Sequence, residues 1–415
     1  MSKKRGKKIL VSILGIVLAL VIVLCATVGI VWGNEISTVM SMKQLRQRND
    51  AHKDGSVYQM EVKGGFYFDE YLARGGASTD AELIAFISDS ITKGLIDMGI
   101  KESSISCSSF TAATTSGDRL FARNYDFDKT NTCIVYTNPG NGRHASYSTV
   151  DLQFLGIDVN SNVKGLMDKI TCLAAPYAPL DGINDAGVSC GIYMSYQGGG
   201  LKEDSSERVV ATDQNTDKPD LTSTTMLRLI LDYASSVDEA IELISGYDLH
   251  DSATTSYHYM IADATGRSAI LEWVNGTDET DNDGSARNLI VTYSDDDAHI
   301  GEMEAAATDY QWITNFIIQP GYYAQDSDKA GLDRYDHIGE RLSATDGIVA
   351  DDAAAMALLS EVGRRSWDAN GDGCTVHSAV YNLTQKRMLW VPNEHYDDPE
   401  AIFAYGFDKS FAVVK

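Results

Sequence analysis

The chain has 415 residues, 44% of them hydrophobic, which suits a large globular body and excludes a disordered one. Its formal net charge of −25 leaves no basic footprint for nucleic acid and no attraction between the body and anionic lipid. The six cysteines show neither CxxC nor zinc-ligand spacing, and the chain is too long to be a small disulfide scaffold.

Residues 1–8, MSKKRGKK, carry five positive charges, and Ile9 to Trp32 form an uncharged apolar run of 24 residues. At ~1.5 Å per residue such a run spans a bilayer core. It is too long for a secretory signal and lacks an Ala-x-Ala end, and Leu24 spoils a lipobox at Cys25. The basic flank places the rest outside the cytoplasm. The expectation is a single-pass protein of the cell membrane. In it, 1–8 is a cytoplasmic tail, 9–32 an uncleaved signal anchor, 33–106 a stalk and propeptide, and 107–415 an extracytoplasmic catalytic domain. A cleaved signal peptide is the alternative.

Within the body, Ser78 to Glu82 is a helix start, and Leu83, Ile84, Phe86, Ile87, Ile91 and Leu95 continue it with helical spacing. Phe110 to Thr115 and Arg119 to Asp128 read as a hairpin that turns at Ser116-Gly117-Asp118, with a thiol, Cys107, at the head of its first strand. Strand-like runs follow at 133–137, 146–156 and 188–196, with a helix over 163–172. Helices are expected over 223–234 and 236–245, then a hairpin at 257–263 and 268–274 and a strand at 286–294. Residues 303–318 and 333–362 look helical, and Val376 to Pro392 closes the chain as a last hairpin, with an edge strand expected at 411–414. Antiparallel hairpins with helices inserted in pairs suggest two stacked sheets covered by helices, an α+β arrangement rather than a parallel sheet.

The segment Cys107-Ser108-Ser109-Phe110, followed by Arg123-Asn124-Tyr125-Asp126 on the return strand, resembles the opening of the choloylglycine hydrolase family of linear amide C–N hydrolases. Arg123 and Asp126 stand sixteen and nineteen residues after the cysteine, as in that family's Cys…Arg-Asn-x-Asp signature. The resemblance implies a four-layer αββα fold of the N-terminal nucleophile hydrolases. It also implies self-cleavage between Ser106 and Cys107. Peptide-bonded, the Cys107 nitrogen is no base, whereas a free α-amine with a pKa of ~7.7–8.0 can take the thiol proton. Asp126 would then orient the amine, and Arg123 would favour the thiolate, the form that attacks an amide carbonyl.

Further positions carry over from the resemblance less directly. Leu332-Asp333-Arg334-Tyr335 resembles the segment with a second active-site Arg, which selects Arg334 over Arg341. The family's oxyanion Asn positions fall on Met194, beside Tyr193, and on Tyr293. Met donates no hydrogen bond, so Tyr193 and Tyr293 are the candidates. The expected substrate is a small N-acyl amide, with no cofactor or metal and no nucleic-acid partner. The membrane contact is residues 9–32, and homo-oligomerisation is compatible with the sequence. Two alternatives stand beside hydrolysis: acyl transfer to an amine, and a degenerate cell-surface binding protein. Asp368 to Gly373 has the form of a calcium loop but lacks its closing Glu, with Ala379 in that place, so it reads as a polar turn.

Overall fold

The computed structural model describes residues 27–91, 93–94, 106–196, 210–275, 284–295, 309–319, 322–323, 328–367 and 373–408. In chain order the strands are β1 (Lys43–Arg46), β2 (Val57–Val62), β3 (Ser106–Thr114), β4 (Arg119–Phe127), β5 (Thr132–Thr137), β6 (Ser146–Asp151), β7 (Asp181–Asn184), β8 (Ser189–Met194), β9 (Asp220–Thr222), β10 (Asp248–His250), β11 (Tyr257–Ala262), β12 (Ser268–Val274), β13 (Asn288–Tyr293), β14 (Trp312–Ile313), β15 (Ile348–Val349), β16 (Cys374–Asn382), β17 (Arg387–Pro392) and β18 (Phe403–Gly406). The helices are α1 (Gly33–Ser41), α2 (Phe68–Ala73), α3 (Asp80–Ile91), α4 (Gly165–Thr171), α5 (Ser223–Tyr233), α6 (Val237–Ile244), α7 (Leu332–Ser343), α8 (Asp352–Glu361) and α9 (Arg364–Trp367).

Two sheets carry the body. One has nine strands in the order β1-β2-β5-β6-β7-β8-β11-β12-β13. The other has seven, β14-β3-β4-β16-β17-β18, with β15 beside β3. Every residue of β8 and of β16 is buried, because each strand is covered on both faces. The two sheets meet where β3 packs on β8, while α5 covers β7 and β8 and α8 covers β4 and β16. The α+β content matches the reading from sequence.

Local chemistry sets the helix starts. Ser236 caps α6 by accepting from the Glu239 N–H, and Asp351 caps α8 by accepting from Ala354. Two expectations change. A helix was expected over 303–318, but in its described part, from residue 309, β14 pairs antiparallel with β3, Trp312 opposite Phe110. Trp312, Phe316 and Ile317 are all buried, Trp312 in the strand pairing and Phe316 against Tyr335 of α7, so apolar residues at close spacing here mark a core-lining segment rather than a helix. The helix expected over 333–362 is two, parted at Gly347 (φ +69°), where β15 joins β3 in parallel. Residues 411–414 and the 368–372 part of the calcium-like turn lie outside the described residues.

The expected transmembrane anchor is corrected. No helix among the described residues is long and apolar enough to cross a membrane. The backbone leaves helical geometry at Trp32 (φ −124°, ψ 23°), and α1 then packs on β2. This overturns the transmembrane helix at 9–32, the membrane contact through it and the single-pass membrane localisation. Residues 9–26 of that run lie outside the described residues.

The segment before Cys107 is woven into the body. β2 pairs in parallel with β5 through six residue pairs and buries Val57, Tyr58, Met60 and Val62. Asp54, just before β2, accepts from His395 Nε2 (2.7 Å) and Arg365 Nη2 (3.2 Å), with His52 Nδ1 2.7 Å away. Those His and Asp ligand atoms lie within 4.8 Å of one another, but the Arg365 guanidinium, 2.7 Å from His52 Nδ1, already fills the cation's place. The cluster therefore works as an ionic clasp between the leading segment and the body. Met60 is fully buried, so Met60→Ala should cost about 2–5 kcal/mol in denaturant unfolding. A loss under about 1 kcal/mol would show that this segment is a loosely held stalk.

Candidate active site

The β3–β4 hairpin builds the first half of the site. Gly117 turns it (φ +89°), and Thr114 Oγ1 accepts from the Asp118 N–H at 2.9 Å. The register sets Cys107 opposite Tyr125 and Ser109 opposite Arg123. Alternation then sends Cys107, Ser109, Arg123 and Tyr125 to one face and Asn124 and Asp126 to the other.

On the inner face, Arg123 Nη2 lies 3.4 Å from Cys107 Sγ and donates to the Ile192 carbonyl at 2.5 Å. Arg123 Nη1 pairs with Asp181 of β7, in the facing sheet, and both side chains are fully buried. His377 Nε2 (2.8 Å) and Tyr381 OH (2.6 Å) donate to the same carboxylate. The Arg123 guanidinium also lies over the Tyr193 ring, 5.1 Å from its centre. Gly191 makes this approach feasible. A Cβ there would stand 2.6 Å from Tyr193 Oη and 3.0 Å from Arg123 Cδ.

At the backbone end, the Cys107 N–H donates to Asn315 Oδ1 at 3.2 Å. Arg334 Nη2 donates to that oxygen at 3.0 Å, while its Nη1 pairs with Asp126. Thr375 Oγ1 donates to the other Asp126 oxygen at 2.6 Å. Asn315 Nδ2 donates to the Met194 carbonyl at 2.9 Å. Thr375 and His377 stand two apart and would share a face in a regular strand. The register shift between them pairs Thr375 with Asp126 but His377 with Tyr125. That bulge lets one strand serve both ends of the site.

Burial governs the thiol. It pushes Cys107 up to about 11, while Arg123 pulls the other way, Asp126 adds to the rise, and an Asp126 backbone hydrogen bond and Arg334 oppose it. Burial alone would raise Asp181 too, but His377 and Arg123 hold its carboxyl well below the usual range.

The structure brings Cys107, Arg123, Asp126 and Arg334 together. Arg341 instead pairs with Glu361 and is largely exposed. Tyr193 sits beneath Arg123, but its hydroxyl donates to Ser109 Oγ at 2.6 Å. Tyr293 does not join them. It ends β13, the last strand of the other sheet, and its ring packs under Arg267 at 4.4 Å. Sequence reasoning missed Asn315, Asp181, Thr375 and His377. Asn315 had been placed inside a helix, and Asp181 belongs to no motif that marks it locally.

Residues 107–277 match the family model of the linear amide C–N hydrolases, choloylglycine hydrolase family. That stretch of the chain is similar to the family. The general activity of the family is the hydrolysis of linear amides. No curated protein matches the chain. Among solved structures it is similar to a variant of conjugated bile acid hydrolase from Clostridium perfringens, with 14% identity, TM-score 0.44, and coverage of 74% of this chain and 93% of that one. It is similar to penicillin V acylase from Agrobacterium tumefaciens, with 16% identity, TM-score 0.44, and coverage of 73% and 87%. It is also similar to a Caenorhabditis elegans ortholog of N-acylethanolamine-hydrolyzing acid amidase, with 15% identity, TM-score 0.37, and coverage of 67% and 93%. The assignment rests on the family match.

A folded value of about 11, above the ordinary 9.0, keeps the Cys107 thiol protonated at neutral pH in the intact chain. The sign follows: this group favours the fold up to about pH 9 and loses that contribution as the pH rises to about 11. The thiolate absorbance difference between full-length wild type and Cys107→Ala should therefore appear only above about pH 9. A thiolate already present at pH 7 would contradict this reading of the site.

Proposed function

We propose that the protein is a cysteine N-terminal nucleophile amidase, which cleaves a linear amide of an N-acylated small molecule through a thioester on Cys107. One observation carries the reading. Cys107 has its sulfur 3.4 Å from Arg123 and its own backbone nitrogen 3.2 Å from Asn315, with Arg334 and Asp126 behind. An internal cysteine needs no such shell around its nitrogen. A cysteine that becomes the first residue does, because that nitrogen turns into the base.

Maturation begins at the Ser106 carbonyl. The Cys107 sulfur adds to that carbon, the C–N bond breaks, and the nitrogen leaves as an amine. Water then cleaves the resulting thioester, which frees the Ser106 carboxyl, the Cys107 thiol and the α-amine. Opening the chain beside a thiol raised to about 11 gives it a neighbouring base with a pKa of ~7.7–8.0. In each catalytic cycle the amine takes the thiol proton and the thiolate adds to the substrate carbonyl. The proton passes to the departing amine. Water, activated by the same α-amine, cleaves the thioester and releases the acid. Arg123 stabilises the thiolate, and Asn315, Arg334 and Asp126 hold the amine. Tyr193 supports Arg123 from below through its ring. Tyr293 has no part in this arrangement.

Intact mass and N-terminal sequencing of purified protein test this reading. Wild type should yield a fragment from Cys107 to Lys415, and Cys107→Ala should stay whole. Wild type that stays whole and turns over no member of a panel of acyl amides would overturn it.

A further inference from the structure

Asp181 is a junction that the proposed chemistry uses only indirectly. It lies on β7 of the nine-stranded sheet, yet its three side-chain partners, Arg123, His377 and Tyr381, all belong to the seven-stranded sheet. Carboxylate and guanidinium are both fully buried, so no water shares the charge. Tyr381 takes Oδ1, and His377 shares Oδ2 with Arg123. With both oxygens held, the carboxylate has one orientation. The guanidinium follows, and its other nitrogen is thereby aimed at the Cys107 sulfur.

His377 is shaped for donation through one nitrogen. Its Nδ1 is buried with no partner among the described residues. Its ring stacks on Trp390 with centroids 5.4 Å apart, which fixes the plane in which Nε2–H points. A proton on Nδ1 would be a buried N–H facing nothing, so the ring serves Asp181 by donating through Nε2. Arg123 Nε also has no partner there, so the guanidinium is held only through its two terminal nitrogens.

We propose that His377 and Tyr381 are positioning residues for Arg123. Acting through Asp181, they aim the guanidinium at the Cys107 sulfur and so set how readily that thiol ionises. The proposal rests on the amidase reading above for its effect on turnover, but not for its effect on the thiol.

The test is alkylation of Cys107 by iodoacetamide against pH in the processed protein, alongside kcat and KM on an acyl amide. Tyr381→Phe removes only a hydroxyl. It should lower alkylation near neutral pH by about tenfold, move the acid limb of the profile upward by about one pH unit, and lower kcat with KM nearly unchanged. His377→Leu should do the same, and His377→Gln, which can still offer an N–H to Asp181, should recover most of the loss. If Tyr381→Phe and a folded His377→Leu both leave the alkylation profile and kcat at wild-type values, the positioning role is overturned, even where melting temperature falls. If no amide is turned over but Tyr381→Phe still shifts the alkylation profile, the positioning role stands and the amidase reading fails.

Discussion

Arg123 and Asp181 face each other from different sheets, and neither is exposed to solvent. A buried ion pair of this kind adds little net stability, but removing one partner typically costs about 3–5 kcal/mol, because the other charge stays buried and unpaired. The packing of the two sheets is thus tied to one orientation of one guanidinium. Gly191 leaves room for the Arg123 stem, Tyr193 lies beneath it, and the Ile192 carbonyl takes the nitrogen that also faces the thiol. The reactive sulfur inherits its electrostatic surroundings from the inter-sheet core.

The backbone end of Cys107 follows a different logic. Asn315 links the Cys107 nitrogen, Arg334 and the Met194 carbonyl, and Arg334 links on to Asp126. Thr375 N–H donates to Glu394, whose carboxylate also accepts from the Arg365 N–H. Arg365 in turn holds Asp54, in the segment before the proposed cut. Through these contacts the leading segment reaches Asp126 without touching it. On this account, breaking the bond before Cys107 changes the chemistry at one nitrogen and leaves the sheet intact, because β2 remains paired along β5.

The hairpin and the local motif were legible in the sequence. Turn residues at 116–118 and the fixed separations among Cys107, Arg123 and Asp126 act over short distances, where strand alternation dictates which side chains meet. The distant parts were less legible. Nothing near Asp181 signals that a strand hundreds of residues later supplies His377 and Tyr381. Asn315 sits in an apolar stretch that reads as helical, although Trp312 and Ile313 before it pair with β3 as a strand. Tyr293 was chosen by position in a resembling strand, but that strand is the last of its sheet and the ring lies under Arg267. The apolar run at 9–32 followed a sound length rule, yet among the described residues the helix is interrupted at Trp32 and α1 packs on the body.

The chemistry proposed for Cys107 is covalent: the acyl group of a linear amide would pass through its sulfur. Acid-quenching the protein during turnover of an acyl amide and weighing the peptide that contains Cys107 tests it most directly. The account predicts a mass increase equal to the acyl group less one hydrogen, labile to hydroxylamine and absent from Cys107→Ala. Steady turnover by Cys107→Ala, or an acyl adduct on any other residue, would contradict it.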